Sequence, residues 1–222
     1  MKKILILPAV FLMLTLSLLQ IACTKDSGTN NEYPNVTANA DTVHGIIKFR
    51  QTDTTGTTLL NWPFGPAMIR ALVVETDELA SATVNADGTF QLVLPASVPG
   101  KYLSSLAGEA SSQGGSLKAT PETIRFLDNI QYKVEYVNNG TPTSFIAGLH
   151  TLKTDMSIDK SYFFNFYDLD GIFQGTGTAG NTYNWTFTKG WGMVESYKIS
   201  STSSAMNSGS VSSIPSNALW MN

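Results

Sequence analysis

Few residues of this 222-residue chain have the chemistry of an acid–base or metal site. The sequence contains two histidines, His44 and His150, which lie far apart and have no acids beside them at metal-ligand spacing. Because a catalytic zinc usually takes three protein ligands, we expect no metal ion, and nothing in the sequence indicates another cofactor. No G-x-S-x-G segment is present, so a Ser-His-Asp triad would have to be assembled from distant segments. We expect that the protein is not an enzyme and that His44 is a solvent-facing strand residue.

Two short segments match all or part of the consensus sequence of a ligand-binding motif, but each lacks a feature that the motif requires. Gly175–Gly180 reads G-x-G-x-x-G, but a dinucleotide site needs a helix after the glycines, and the residues that follow have the pattern of a strand. Asp168–Gly171 could begin a calcium loop, yet the twelfth position is Ala179 rather than the required Glu. We therefore predict a hairpin loop for the first motif and a turn for the second.

The aromatic residues are the other candidates for binding chemistry. Trp62 stands out among the four tryptophans because it lies with Phe64 in the loop Asn61–Pro66. These rings either cover the end of a domain, since large side chains dominate burial energetics, or form an exposed contact patch. The first interpretation is favoured. The second makes Trp62 and Phe64 candidate binding residues for a glycan, because the apolar C–H faces of sugar rings stack on aromatic rings.

The N-terminal residues have the pattern of an export signal. Lys2 and Lys3 precede a nearly uninterrupted apolar run from Ile4 to Leu19, which is followed by Gln20-Ile21-Ala22. A positive start, an apolar segment and a small residue before the cleavage point are typical of a secretory signal peptide. The run is short for a membrane-spanning helix, which needs roughly 20 apolar residues. Residues 1–22 are therefore predicted to be removed.

Cys23 is the only cysteine and follows directly after this signal. Ala22 and Cys23 resemble the lipobox of bacterial lipoproteins, in which the cysteine is acylated and becomes the new N-terminus. The resemblance implies that Cys23 is a lipidation site and that the protein contacts the membrane through its N-terminal lipid. Thr24, rather than Asp, favours the outer membrane. The alternative is an ordinary secreted protein with a free thiol, since a lone cysteine cannot form an internal disulfide.

The segments that must position these residues alternate with the period of β-strands. In Leu79–Pro95, apolar and polar residues alternate on both sides of Asp87-Gly88. Glycine accepts the positive φ that a tight turn needs, so this stretch predicts a β-hairpin. Asn138-Asn139-Gly140 predicts a second one. No segment shows sustained helical periodicity, and the sequence therefore predicts an all-β fold.

The first predicted domain spans residues 42–120, after residues 23–41, whose polar composition is typical of a flexible tether. This domain contains a motif formed by Ala82, Thr83, Ala86, Asp87, Gly88, Phe90, Pro99, Gly100 and Tyr102. This motif resembles the carboxypeptidase-regulatory-like, or prealbumin-like, β-sandwich family. The resemblance covers Thr42 to about Leu106. It implies an antiparallel β-sandwich, and a family whose members are mostly non-catalytic accessory modules of exported proteins.

The second predicted domain spans residues 121–222 and follows a small, polar segment, residues 107–120, which we interpret as a domain boundary. Its strand Ser161–Asp168 is aromatic on both faces, which predicts burial on both faces. Asn181–Thr188 carries three aromatic residues on one face. The prediction is therefore of two antiparallel β-sandwich-like domains in tandem.

Composition and the predicted export signal together indicate a function class. The chain is 14% charged, has a formal net charge of −3 and lacks a basic cluster, which argues against nucleic acid as a partner. We expect a lipid-anchored outer-membrane protein, on its periplasmic or surface face, that acts as a non-catalytic binding or accessory module for a glycan or a protein. The alternatives are a structural component of a surface assembly that lends a sheet edge, or a hydrolase with an unrecognised site.

Overall fold

The computed structural model is built almost entirely of β-strands and describes residues 36–37, 41–53, 56–74, 76–128, 130–199 and 204–222. The predicted signal peptide, Cys23 and most of the tether lie outside these residues. The strands are β1 (Val36–Thr37), β2 (Asp41–Asp53), β3 (Gly56–Asn61), β4 (Ala67–Val73), β5 (Asp77–Val84), β6 (Thr89–Leu94), β7 (Ser97–Val98), β8 (Ser104–Ser105), β9 (Lys118–Thr120), β10 (Arg125–Leu127), β11 (Gln131–Asn138), β12 (Thr141–Leu152), β13 (Ile158–Tyr167), β14 (Gly171–Thr176), β15 (Thr182–Phe187), β16 (Gly190–Lys198), β17 (Met206–Val211) and β18 (Leu219–Met221). A 3-10 turn (Gly100–Tyr102) and one helix, α1 (Leu106–Gln113), complete the described elements. The predicted all-β class is confirmed.

The hairpin predicted around Asp87-Gly88 is formed by β5 and β6, which pair at Val84 and Phe90. Gly88 has a φ of 86°, and the backbone N–H of Thr89 donates to Asp87 Oδ1 over 3.0 Å. Phe90, Leu92 and Leu94 of β6 are buried, whereas Gln91 and Val93 between them are exposed, so the period of two matches the two faces of the strand. The second predicted hairpin joins β11 to β12 and is also confirmed.

Seven strands close into a barrel in the order β11, β4, β5, β6, β2, β18 and β12, after which β12 pairs with β11 again. The last described strand, β18, completes the ring because it runs parallel to β2 and antiparallel to β12. Closure removes the free strand edges from this part of the sheet. The barrel interior is filled by apolar residues of several strands, among them Val43, Ile69, Val134 and Trp220.

A second, curved part of the sheet continues from β12 through β13, β16, β17, β15, β14 and β9. One face of β13 and β16 contributes Tyr162, Phe164 and Met193 to the barrel's hydrophobic cluster. The opposite face forms a separate cluster with Phe173, Phe187 and helix α1. The curved sheet therefore has an apolar face on each side, one toward the barrel and one toward α1.

The predicted domain boundary between residues 120 and 121 lies inside one compact unit, Pro34–Asn222. β11, from the second predicted domain, pairs with β4 from the first, and the barrel cluster draws residues from both. The structure therefore joins the two halves through a shared sheet.

Helix α1 occupies the polar segment that sequence analysis interprets as a boundary, so that interpretation missed a helix. Ser105 caps it, since its Oγ accepts a hydrogen bond from Gly108 N at 3.0 Å. Leu106 and Ala110, one turn apart on the same side, are its buried residues. Two buried positions in eight residues leave too weak a periodicity to recognise in the sequence. In the described part of the chain, no helix combines the length and apolar character required to cross a membrane.

Candidate functional site

The loop that carries Trp62 and Phe64 closes one end of the barrel. Trp62 is 5% exposed, and its Nε1 donates to the carbonyl oxygen of Gly65. Its ring lies 5.0 Å from that of Phe64 and 5.3 Å from that of Tyr136, measured between centroids. Phe64 is partly buried against the same cluster. Of the two interpretations of this loop, the geometry matches the one in which the rings cover the end of the domain.

The two histidines occupy different environments. His150 on β12 lies opposite Ser161 on β13, and its Nδ1 is 2.9 Å from the serine Oγ. Burial lowers the pKa of His150, and the positive charge of Arg50 lowers it further. His44 is exposed on the outer face of β2. Among the described residues, neither histidine is hydrogen-bonded to a carboxylate, so no Ser-His-Asp triad is formed there.

His44 lines a large cleft. This cleft, of ≈ 540 Å³, lies between the first residues of β2 and the strands β15, β16 and β17. Asp41 and Thr42 lie beside His44, and Met193 and Ile214 provide apolar surface. The indole of Trp191 is fixed at its edge because Nε1 donates to the Pro95 carbonyl at 2.8 Å. The cleft combines hydroxyl and apolar groups, and among the described residues His44 forms no hydrogen bond to a carboxylate there.

Another cleft, of ≈ 330 Å³, lies on the opposite, α1-side face of the curved sheet. We call it the aromatic groove, and its principal lining residues are Asp128, Phe163, Asn165, Tyr183, Trp185 and Ser208. Phe163 and Asn165 alternate on one face of β13, and Tyr183 and Trp185 on the same face of β15. Strand alternation therefore directs all four side chains toward the groove.

The depth of the groove follows from small residues on the strands between β13 and β15. Ser196 on β16 and Ser208 on β17 lie opposite one another in register and line the groove. Since β13 and β15 are three strand spacings apart, the aromatic walls are separated by roughly 14 Å along the sheet. Ser196 and Ser208, together with Val194 and Met206 on the same two strands, form the surface between the aromatic walls.

The polar groups of the groove are held in place by hydrogen bonds. Trp185 Nε1 donates to Ser208 Oγ at 2.8 Å, and that hydroxyl donates to the Glu195 carbonyl oxygen at 3.0 Å. Asn165 Nδ2 donates to the hydroxyl of Tyr167 at 3.2 Å. These contacts fix the orientation of the indole and of the amide before any ligand arrives.

Phe163 is the most exposed large side chain of the groove, at 50% of its surface. Sequence analysis predicts that β13 is buried on both faces, and this prediction is wrong at Phe163. Val194 on β16 lies opposite Phe163 in register, but the groove beyond it leaves one side of the Phe163 ring open. Because Phe163 shares the groove with Tyr183 and Trp185, its exposed surface belongs to an aromatic patch, which is the kind of surface that forms contact sites.

Asp128 supplies the carboxyl group of the groove. Burial raises the pKa of Asp128 above its ordinary value, and the negative charge of Glu109 on α1 raises it further. Burial also raises the pKa of the Tyr183 hydroxyl. Both shifts arise mainly because burial removes part of the water that would stabilise the ionised form.

The two short motifs have structural roles, as predicted. Within Gly175–Gly180, the first two residues end β14 and the remaining ones form the loop of its antiparallel hairpin with β15. Asp168, 8% exposed, accepts hydrogen bonds from Arg125 N at 2.7 Å and from Arg125 Nε at 2.8 Å. Asp170 Oδ1 accepts from the backbone N–H of Lys189 at 2.6 Å. Both carboxylates are thus engaged by the protein, and the described residues contain no group of three acids, histidines or cysteines placed to hold a metal.

Comparison with known proteins leaves the function to be argued from this geometry. No family model matches the chain, and neither a curated protein nor a solved structure does. The likeness to the prealbumin-like modules and to bacterial lipoproteins therefore stays a prediction made from the sequence.

Sequence analysis missed the groove as a site, although it found the alternation of its residues. Tyr183 and Trp185 share one face of a predicted strand, but the sequence does not show which strands lie beside it. The only local signal is a serine at matching positions in β16 and β17, Ser196 and Ser208. That signal acquires meaning only when the strand order is known.

Proposed function

We propose that the protein is a lipid-anchored envelope module that binds a glycan in the aromatic groove without catalysing a reaction on it. The observation that carries the proposal is the half-exposed ring of Phe163, facing a trough that also holds Tyr183 and Trp185. The apolar C–H face of a sugar ring packs on such surfaces, and an aromatic contact contributes about 0.5–1.5 kcal/mol beyond its buried area.

The polar lining supports a sugar over a purely apolar ligand. Gln131, Asn165 and Asn181 line the groove with amides, which both donate and accept hydrogen bonds. Asp128 adds an acceptor, and sugar hydroxyls need both kinds of partner. A volume of ≈ 330 Å³ is at the small end of ligand sites, which favours a short segment of a glycan.

A non-catalytic role is supported by the state of the candidate acid–base groups. His150 is hydrogen-bonded to a serine and lines neither cleft, and His44 is on the other side of the curved sheet from the groove. Within the aromatic groove, Asp128 is the one carboxyl among the lining residues. Glycoside hydrolysis generally uses two carboxyl groups on either side of the scissile bond.

The binding proposal is tested by removing the exposed ring. Phe163→Ala should weaken glycan binding about three- to tenfold, the equivalent of one aromatic contact. Ile158→Ala is the matched control, because Ile158 is an exposed apolar residue of the same strand outside the groove. The assay is a glycan array followed by calorimetry on the strongest ligand. No glycan bound, or equal affinities of both variants and the wild type, would contradict the proposal.

The anchoring part of the proposal has its own test. Cells that express the full chain are grown with a labelled fatty acid, and the protein should acquire the label and fractionate with the outer membrane. The Cys23→Ala form should acquire none and be released as a soluble species. Labelling of Cys23→Ala at the wild-type level would refute lipidation at Cys23, while leaving the groove untouched.

A second candidate function is assembly through a sheet edge. Among the described strands, β3 pairs with β2 alone, so its other edge has no described partner strand. An unpaired edge can accept a strand from another chain. Cross-linking of intact envelopes should then give a discrete larger species, and recovery of the monomer alone would count against assembly.

A further inference from the structure

The aromatic groove has an uncompensated negative charge. Asp128 is the charged residue among its lining side chains, and within the described residues no lysine or arginine lies within ion-pairing distance of its carboxylate. A half-buried carboxylate without a cation is costly, because the protein gives back little of the solvation that burial removes.

The surrounding charges increase this imbalance. Glu109, on α1, places a second negative charge near enough to affect Asp128 and Tyr183. Arg125, three residues before Asp128, directs its Nε to Asp168 at 2.8 Å. The field in the groove is therefore negative, and a ligand that carries positive charge would be attracted by it.

The walls of the groove suit a cation as well. Phe163 and Tyr183 line the groove with aromatic rings, whose negative faces attract ammonium groups, and Trp185, 8% exposed, packs against Tyr183 with 5.6 Å between the ring centroids. A carboxylate beside aromatic rings is the combination that recognises protonated amines, since the ion pair and the ring faces act on the same charge.

We infer that the ligand of the aromatic groove is an amino sugar with a free, protonated amine, which is bound by the Asp128 carboxylate and the adjacent rings. This inference rests on the proposed glycan-binding function, because it uses the same groove. It adds the chemical class of the sugar and assigns its recognition to Asp128.

The test compares three tetrasaccharides with the same β-1,4 backbone. They are built from glucosamine, N-acetylglucosamine and glucose, so they differ in the substituent at carbon 2. Calorimetry near neutral pH should show the glucosamine tetramer binding about ten- to a hundredfold more tightly than the others, the range expected for a hydrogen bond to a charged group. Asp128→Asn should remove that preference while leaving the residual affinity equal for all three.

Asp159→Asn is the matched control for general charge attraction. Asp159 is an exposed acid of the same strand as Phe163 but lies outside the groove, so its loss should leave the preference unchanged. A loss in the control as large as that in Asp128→Asn would overturn the inference by showing a diffuse field effect.

A pH profile provides an independent readout of Asp128. The affinity for the glucosamine tetramer should fall as the carboxyl becomes protonated on acidification, whereas the amine keeps its charge. Glu109 from α1, Tyr167 from β13 and Tyr183 from β15 are the other titratable groups that face or influence this carboxyl. Asp128→Asn should lack the acid limb of the profile, and a limb that persists in this variant would overturn the assignment.

The outcomes separate the inference from the proposed function. Equal binding of the three tetramers, with the affinity reduced by Phe163→Ala, overturns the amine preference and keeps glycan binding. An absence of binding to any sugar of the array overturns both.

Discussion

Trp220 is the side chain on which closure of the barrel depends most, and Trp220→Ala is expected to destabilise the protein strongly. Trp220 is 1% exposed and lies on β18, between β2 and β12. Its ring centroid is 4.9 Å from that of Tyr132 and 5.5 Å from that of Phe90. Truncating a fully buried tryptophan costs about 3–5 kcal/mol, a large part of the ~5–15 kcal/mol stability of a typical domain.

The structure also predicts that Gly45→Ala destabilises the wild-type protein but stabilises the Trp220→Ala variant. A Cβ added at Gly45 would lie 2.5 Å from Trp220 Cδ1, far inside ordinary contact. In the wild-type protein, Gly45→Ala should therefore destabilise by about 1–2 kcal/mol, the cost of overpacking less the small gain from restricting the unfolded chain. In the Trp220→Ala background the obstructing ring is absent. The same methyl group should then stabilise by about 0.4–1 kcal/mol.

The wild type, the two single variants and the double variant form a double-mutant cycle. Their stabilities are compared by urea denaturation followed by far-ultraviolet circular dichroism. The changed sign at Gly45 is the decisive observation, because general intolerance of the strand to substitution would give the same sign in both backgrounds. An equal effect of Gly45→Ala in the two backgrounds would refute the reasoning. If Trp220→Ala does not fold, Trp220→Leu serves as the second background and should reduce the cost of Gly45→Ala without reversing it.

Three further predictions concern stability. Burial raises the folded-state pKa of Asp128, so the folded state loses stability as the pH rises from the ordinary pKa of 3.8 through the raised value and the carboxyl ionises. Asp128→Asn should therefore be more stable than the wild type at neutral pH and equal to it below pH 3.8. Denaturation at both pH values measures this difference. Asp168→Ala should cost about 2–3 kcal/mol in the same assay, below the range for a fully buried pair because the Arg125 side chain is 26% exposed, and a cost under about 1 kcal/mol would mean that the pair behaves as a surface salt bridge. Gly88→Ala places a Cβ 2.7 Å from Trp62 Cβ at a φ of +86° and should lower the thermal midpoint by several degrees, whereas an unchanged midpoint would show that the turn can shift.

Local patterns predicted those elements whose partners are close in the sequence. The hairpin at Asp87-Gly88 and the one at Asn139-Gly140 follow from turn chemistry and alternation, both of which are local. The loops at Gly175–Gly180 and after Asp168 are recognisable because residues required by a ligand site are missing from them. Helix α1 was not recognisable, since its stability comes from two buried residues and a capping serine rather than from an amphipathic pattern.

The candidate site was predictable only in part, and the two sets of aromatic residues show why. For Trp62 the sequence left burial and exposure open and favoured burial, and the structure packs its ring against Tyr136 of a strand more than seventy residues away. Phe163 looked buried because its strand is aromatic on both faces, but in the fold its ring borders the open groove and stays half exposed. In both cases the environment of the ring is set by residues that are remote in the sequence.

The sequence by itself determined the all-β class of this protein, through strands that alternate with a period of two and turns with glycine at positive φ. These properties depend on the conformational preferences of a residue and its near neighbours. Tertiary structure alone decided that β18 closes a barrel with β2 and β12, and that Asp128, Phe163 and Trp185 share one groove. The physical reason is that burial and charge at a side chain are set by the strands packed around it, and their order is a property of the folded chain as a whole.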